Sequence, residues 1–199
     1  SVEQNRNEIF KNAQTRYQNL FWAVTEAVAT DNTPFLAYLL DNGLSPDFIY
    51  RKTIESPYAE CVRGIPLISA ALFGHVETAA LLIRKGADVQ KEGCDRETAL
   101  MAACRTYIWK KKIKQLTHMG QYKAYSREQG MANKLRIARM LIDQGARINQ
   151  SDAKNRTPLS VAVDQHFYGM VVMLARSGAW LSTRPGTPSV LGTAAGKND

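Results

Sequence analysis

One segment of the chain recurs downstream with its landmarks at the same spacing. The segment GIPLISAALFGHVETAALLIRKGADVQ begins at Gly64, and RTPLSVAVDQHFYGMVVMLARSGAWLS begins at Arg156. In both copies the leucine of a Pro-Leu pair stands 19 residues before a glycine, at residues 67 and 86 and at residues 159 and 178. Such fixed spacing indicates a repeat protein, in which each unit buries its apolar face by stacking on its neighbours.

Each copy predicts two short helices separated by a turn. Small residues such as Ala70 and Ala71 allow the first helix to pack closely on its neighbour. Leu82 and Ile83 lie on the apolar face of the second helix. Gly86 then ends the second helix at a position suited to positive φ.

This pattern resembles the ankyrin repeat, which has a TPLHxA signature and a period of about 33 residues. Residues 157–162, TPLSVA, match the signature closely, and residues 65–70, IPLISA, match it in part. The resemblance implies an all-α fold, an ankyrin-repeat solenoid of stacked helix-turn-helix units with finger loops. It also implies a concave, protein-binding face formed by solvent-facing places of the first helices. In this sequence those places are Glu26, Ala29, Thr30, Ser69, Leu72, Phe73, Arg105, Thr106, Asp164 and Gln165.

The same spacing predicts one domain over residues 1–199. A new unit begins 12 residues after the closing glycine, as at Thr98 after Gly86 and at Thr157 after Gly145. No run of about 18 apolar residues occurs, so the sequence predicts no membrane span. The predicted parts are an N-terminal capping helix at 1–20, repeats at 22–47, 65–90, 98–149 and 157–182, and a partial repeat or tail at 189–199.

Two stretches are longer than the spacing allows. The finger loop at 48–63 is 10 residues longer than the standard, and the third repeat holds a 26-residue insertion at 107–132. The insertion has six basic residues against one acidic residue, so it supplies +5 of the chain's net charge of +8.

The insertion is predicted to form a basic helical hairpin. Trp109, Ile113 and Leu116 share one helical face, so we expect the first helix of the repeat to run on past Cys104 to about His118. A disordered basic loop is the alternative, and the insertion's aromatic and aliphatic residues weigh against it.

The sequence contains none of the common catalytic motifs. It has no P-loop, GxGxxG, HExxH or GxSxG and no paired Cys/His set, so we expect no enzyme activity, no cofactor and no metal. His75 matches the helix-linking Gly-His of the ankyrin repeat, and the resemblance implies a structural role in which its ring bonds local backbone. Cys104 is expected to be a buried thiol used for packing. Cys61 and Cys94 are either free thiols of a reducing compartment or a disulfide between finger loops of an exported protein.

A cytoplasmic location is favoured by this cysteine usage, and a periplasmic or secreted location follows if a leader has been removed.

The predicted partner-binding site is the insertion with the first-helix places beside it. Leu72 and Phe73 are apolar where the repeat has polar residues, so they either anchor a partner or are covered by the long loop or the insertion. Trp109 either anchors the partner or packs inside the predicted hairpin. The predicted site comprises Leu72, Phe73, Arg105, Tyr107, Trp109, Lys110, Lys111, Lys112, Lys114, Tyr122 and Lys123.

Two classes of function remain. The first is a non-catalytic protein-binding module, monomeric when unbound, that captures an acidic partner protein. A narrower version of this hypothesis is that capture inhibits the partner. The second is a binder of nucleic acid or another anionic surface through the basic insertion, although the sequence has no nucleic-acid-binding module. Short chains of degenerate repeats with insertions are similar to stand-alone bacterial ankyrin proteins, which include secreted effectors and immunity proteins that neutralise a toxic enzyme.

Overall fold

All regular secondary structure in the described part of the chain is helical. The computed structural model describes residues 19–48, 65–106, 123 and 125–180. Over these residues the predicted all-α fold is confirmed. The helices are α1 (residues 19–29), α2 (Thr33–Asp41), α3 (Pro66–Phe73), α4 (Val76–Arg84), α5 (Ala99–Ala103), α6 (Arg127–Asp143), α7 (Pro158–Asp164) and α8 (Tyr168–Arg176), with one 3₁₀ turn at Cys94–Arg96.

Consecutive helices form four pairs, numbered 1 to 4 in chain order: α1 with α2, α3 with α4, α5 with α6, and α7 with α8. The first helices stack, because α3 packs against α5 and α5 packs against α7. The second helices follow the same order, with α2 against α4 and α4 against α6. An apolar cleft lined by Phe21, Val28 and Ile65 lies between α1 and α3. The result is the predicted solenoid of stacked helix pairs.

Small buried residues set the close spacing of the first helices. Ala70, Ala71, Ala103 and Ala162 have no exposed surface, and neither does Cys104. The prediction of a buried packing thiol at Cys104 is therefore confirmed. Burial raises the pKa of this thiol, which keeps it protonated.

Glycines in left-handed conformation end the second helices. Gly43, Gly86, Gly145 and Gly178 have φ of +91°, +84°, +83° and +93°. A side chain is strained at such φ, so glycine is the residue that closes a helix here at least cost. The positive φ predicted for Gly86 is confirmed, and these four glycines fix the register of the pairs.

The first helix of pair 3 is shorter than predicted. It ends at Ala103, and residues 105–106 are not helical, so the prediction that it continues past Cys104 to His118 is wrong. Tertiary contacts take the place of helical ones at this point, since the carbonyl oxygen of Arg105 accepts a hydrogen bond from Lys134.

The second helix of pair 3 is longer than its counterparts. α6 has 17 residues where α4 and α8 have 9 each. It begins at Arg127, inside the range predicted for the insertion. The side chain of Ser126 caps it by accepting a hydrogen bond from the backbone N–H of Gln129. Residues 127–132 of the insertion therefore join the stack as a helical extension at the start of α6.

Candidate functional site

Most of the predicted partner-binding residues fall outside the described part of the chain. The structure describes Leu72, Phe73, Arg105 and Lys123. Outside the described residues lie Tyr107, Trp109, Lys110, Lys111, Lys112, Lys114 and Tyr122. The same holds for residues 1–18 of the predicted capping helix, residues 49–63 of the long finger loop and the tail after residue 180. The site is therefore built from the two flanks of the insertion.

The departing flank, residues 105 and 106 where the chain enters the insertion, contacts pairs 3 and 4. The backbone N–H and the hydroxyl of Thr106 each lie 3.3 Å from the side-chain oxygen of Gln165, in the turn between α7 and α8. The guanidinium of Arg105 pairs with Glu97 at 2.5 Å. Lys134 of α6 donates from its ammonium group to the carbonyl oxygen of Arg105.

The returning flank, residues 123 and 125 of the insertion, contacts pairs 1 and 2. The backbone N–H of Lys123 donates to the carbonyl oxygen of Ala29 at 3.0 Å. Its ammonium group pairs with one carboxylate oxygen of Asp31 at 2.7 Å, and the phenol of Tyr125 donates to the same oxygen at 3.2 Å. The hydroxyl of Thr78 donates to the other oxygen at 2.7 Å. One carboxylate thus ties together the α1–α2 turn, α4 and the returning flank.

His75 lies beneath this flank with no exposed surface. Its Nδ1 is 2.6 Å from the carbonyl oxygen of Val28, and its Nε2 is 3.2 Å from the carbonyl oxygen of Lys123. One ring face stacks on Phe73, with centroids 5.4 Å apart, and Tyr125 meets the ring edge-on at 5.8 Å. His75 has the structural role expected of it, but the backbone groups it bonds belong to pair 1 and to the insertion. We call Asp31, His75, Thr78, Lys123 and Tyr125 the return node.

The pKa shifts of Asp31 and Lys123 favour the charged forms that make their hydrogen bond. Burial alone would raise the pKa of Asp31, but hydrogen bonds from Lys123 and Thr78 outweigh it and hold that pKa below its usual value. The hydrogen bond to Asp31 raises the pKa of Lys123. Burial lowers the pKa of His75, so at neutral pH the ring is uncharged and donates to one of its two carbonyls. At neutral pH the node therefore contains one anion and one cation in contact.

Phe73 is buried, although it stands at a place where the repeat resemblance implies a solvent-facing residue. Its side chain is 6% exposed, since it stacks on His75, which Tyr125 covers in turn. Ala29, also predicted to face solvent, has no exposed surface. Leu72 is partly buried and packs on the core. The burial of Phe73 weighs against the alternative in which it anchors a partner.

Sequence reasoning missed Lys134, which stands where His75 stands in pair 2. Both residues lie 11 positions before the closing glycine of their pair, Gly145 and Gly86. Lys134 is 3% exposed, and burial lowers its pKa to about 8. The glycine spacing would have identified it as an ionisable residue at a buried place.

Asp31 was missed for a related reason. It occupies the place of Gly74, 12 positions before the closing glycine, and both residues are left-handed, with φ of +55° and +77°. Asp tolerates this conformation better than most residues, so the sequence reads as an ordinary turn.

The described residues offer hydrogen-bonding and charged groups for binding. They contain no group of three or more His, Cys, Asp or Glu side chains placed to hold a metal ion. Nor is any helix among them long and apolar enough to cross a membrane. The half-exposed side chain of Lys123 marks where the basic insertion rejoins the stack.

Comparison with known families identifies pair 2. The ankyrin repeat family model matches residues 65–93, which contain α3, α4 and the start of the following finger loop. No curated protein matches the chain. The assignment of pairs 1, 3 and 4 as further repeats stays a prediction.

Proposed function

We propose, from the premise that this chain is an ankyrin-repeat protein, that it is a non-catalytic module which captures an acidic partner protein through the insertion of pair 3. In the narrower form of the proposal, capture inhibits the partner, as an immunity protein inhibits a toxic enzyme. Ankyrin repeats are typically protein-binding modules, so the coarse assignment comes with the family. The insertion and its charge supply the finer one.

The observation that carries the proposal is the attachment of both flanks of the insertion. The flank at Thr106 contacts Gln165 of pair 4, whereas the flank at Lys123 contacts Ala29 and Asp31 of pair 1. The residues between these flanks thus leave the stack beside its last described pair and return beside its first. Fixing both ends of a segment reduces the conformational entropy that is lost when it binds, which favours affinity.

The distribution of charge supports an acidic partner. Residues 19–48 contain four acidic residues and no lysine or arginine, whereas residues 125–180 contain eight basic residues against four acidic ones. The lysine-rich part of the insertion, residues 110–123, comes just before the second of these ranges in the sequence. Clustered lysines accelerate encounter with a surface of opposite charge, and this acceleration weakens as salt is added.

Charge reversal tests the proposal. Lys110, Lys111 and Lys112 are changed together to Glu, and the binding partner is recovered on the immobilised wild-type chain from cells that make it. Association of the purified partner is then followed by stopped flow at several salt concentrations. We expect the association rate of the variant at low salt to fall about tenfold or more and its salt dependence to flatten.

The matched control has the same change in net charge elsewhere. Arg84, Arg147 and Lys154 are exposed and stand outside the insertion in the sequence, so changing all three to Glu should alter the association rate much less. Equal effects of the two triple variants would show that net charge alone acts, and the site assignment would then be wrong.

The same preparation tests the alternative. A fluorescent single-stranded oligonucleotide of about 20 nucleotides is titrated with the wild-type chain. Salt-sensitive binding of this probe, with no protein recovered in stoichiometric amount, would favour a nucleic-acid or anionic-surface binder.

A further inference from the structure

Asn42 is the one asparagine of the chain that precedes a glycine. It caps the C-terminal end of α2 with φ of −92° and ψ of 22°, and Gly43 follows with φ of +91°. A Cβ on Gly43 would have no atom of the described residues within 4 Å. Asparagine before glycine is the dipeptide in which the next backbone nitrogen attacks the side-chain amide most readily, because glycine has no side chain to hinder the approach.

Hydrogen bonds hold these residues in their folded arrangement. The side-chain Nδ2 of Asn42 donates to the carbonyl oxygen of Tyr38 at 2.7 Å. The backbone N–H of Gly43 donates to the carbonyl oxygen of Leu40 at 3.2 Å. The nitrogen that would attack and the amide that would leave are therefore both bonded to α2 while its last turn is intact. Reaction requires this turn to open, and helix ends open more readily than helix centres.

We propose that Asn42 is a site of spontaneous deamidation, controlled by opening of the last turn of α2. After the N–H of Gly43 loses its proton to a base in solution, its nitrogen attacks Cγ of Asn42. The N–Cγ bond forms, the Cγ–Nδ2 bond breaks, and the leaving amide takes up a proton and departs as ammonia. Water then opens the cyclic succinimide at either of its carbonyl groups, which leaves aspartate or isoaspartate in place of Asn42.

The product changes the charge at the end of α2. The new carboxylate has no N–H to donate to the carbonyl oxygen of Tyr38. It also follows Asp41 directly, at the helix end where negative charge is unfavourable. Deamidation therefore weakens the last turn of α2 and adds one negative charge to residues 19–48, which already contain four acidic residues and no lysine or arginine.

Pair 3 contains a natural control. Gln144 and Gly145 end α6 as Asn42 and Gly43 end α2, in both cases directly after an aspartate. Gln144 has φ of −89° and ψ of 11°, and Gly145 has φ of +83°. Because the side chain of glutamine is longer by one methylene group, the corresponding ring is larger and forms much more slowly. Gln144 should therefore stay unmodified although its backbone conformation is nearly the same.

Peptide mapping by mass spectrometry tests the site. The wild-type chain is kept at physiological temperature and mildly alkaline pH for several weeks, and aspartate and isoaspartate are measured in its peptides. Asn42 should be converted ahead of Asn149 and Asn155, which precede larger residues, and ahead of Gln144. Conversion of Asn42 no faster than that of Asn149 and Asn155 would overturn the proposed site.

A urea series tests the control by folding. The reaction at Asn42 should be about tenfold or more slower in the folded chain than in urea that unfolds it, because the turn must open first. Its rate should also rise at urea concentrations below the unfolding transition. Equal rates in the folded and the unfolded chain would show that the last turn of α2 does not control the reaction.

Asn42→Asp tests the consequence, because it has the charge of the aspartate product. Hydrogen exchange over residues 38–43 should be faster in this variant than in the wild type, while α4 and α6 stay protected. Asn149→Asp is the matched control, since it makes the same change in net charge outside α2, and it should leave this exchange unchanged. Exchange over residues 38–43 that is the same in Asn42→Asp as in the wild type would overturn the proposed weakening of α2.

Discussion

At the scale of single residues, Lys134 shows how the insertion alters the repeat. Its position is buried in pair 2 as well, where His75 stands with no exposed surface. In pair 3 a flexible cation fills the place, and one of its three N–H groups bonds the carbonyl oxygen of Arg105. Burial of an ammonium group disfavours its charged form, which is why its pKa falls to about 8. Lys134 thus fixes the departing flank of the insertion at a cost in stability.

The first residue-scale prediction concerns the pH dependence of that cost. The pKa of Lys134 is about 8 in the folded chain and near the ordinary lysine value when unfolded. As pH rises from about 8 to 10, the folded state loses this proton before the unfolded state does, so wild-type stability gains. Lys134→Met lacks this titration. Relative to Lys134→Met, the wild-type chain should gain about 1 kcal/mol or more between pH 7.5 and 10, measured by urea unfolding.

Lys154→Met is the control, because Lys154 is exposed. Its stability should follow the wild type at every pH. Parallel pH profiles for Lys134→Met and the wild type would show that Lys134 is not a buried cation in solution.

The conformation or burial of a residue was predictable where its place in the repeat determines it. The positive φ of Gly86 and the burial of Cys104 follow from their places in the repeat. The contacts of His75 were not predictable in the same way, because its ring packs against Tyr125, which lies 50 positions away in the sequence.

At the scale of elements, pair 3 shows which features the spacing of apolar residues predicts and which it does not. Apolar spacing over residues 109–116 predicts that a helix can form there. It does not predict that this helix continues α5, since continuity depends on contacts with other pairs. Thr106 bonds Gln165 of pair 4, and α5 ends at Ala103. The extension of α6 was not predicted, because residues 127–132 belong to the insertion and have no counterpart in the other pairs.

The element-scale prediction concerns the returning flank. Asp31→Asn keeps the shape of the side chain and an oxygen for Thr78, but it removes the charge that holds Lys123 and Tyr125. We expect faster hydrogen exchange over residues 123–130 while the helices of pairs 1 and 2 stay protected. The loss of global stability should be about 1–2 kcal/mol, because the Asp31 side chain is only 4% exposed.

Asp41→Asn provides the matched control. Asp41 pairs with Lys85 at the surface, where both side chains are well exposed. A surface pair contributes roughly 0–1 kcal/mol, so this variant should exchange like the wild type. If Asp31→Asn also leaves the exchange of residues 123–130 unchanged, the return node does not hold the insertion.

At the scale of the whole molecule, the repeat spacing predicts the stack but not the attachment of its insertion. The order of helices and the closing glycines follow from a pattern that every pair shares. The candidate site differs from that pattern, so its contacts cannot be inferred from the shared spacing. Asp31 and Gln165 belong to pairs 1 and 4, yet both hold the insertion of pair 3. The site therefore depends on the stack being intact from end to end.

The last prediction tests this dependence. Ala103 has no exposed surface and lies on α5, which packs against both α3 and α7. Ala103→Phe should overpack both contacts and destabilise the chain by roughly 1–3 kcal/mol in urea unfolding, whereas the exposed Ala132→Phe should be nearly neutral. Because a solenoid is stabilised by contacts between neighbours, hydrogen exchange should quicken in α3 and α7 together. An effect confined to α5, or an unchanged unfolding midpoint, would mean that the pairs are not coupled through this alanine, and flanks anchored on pairs 1 and 4 would then not depend on pair 3.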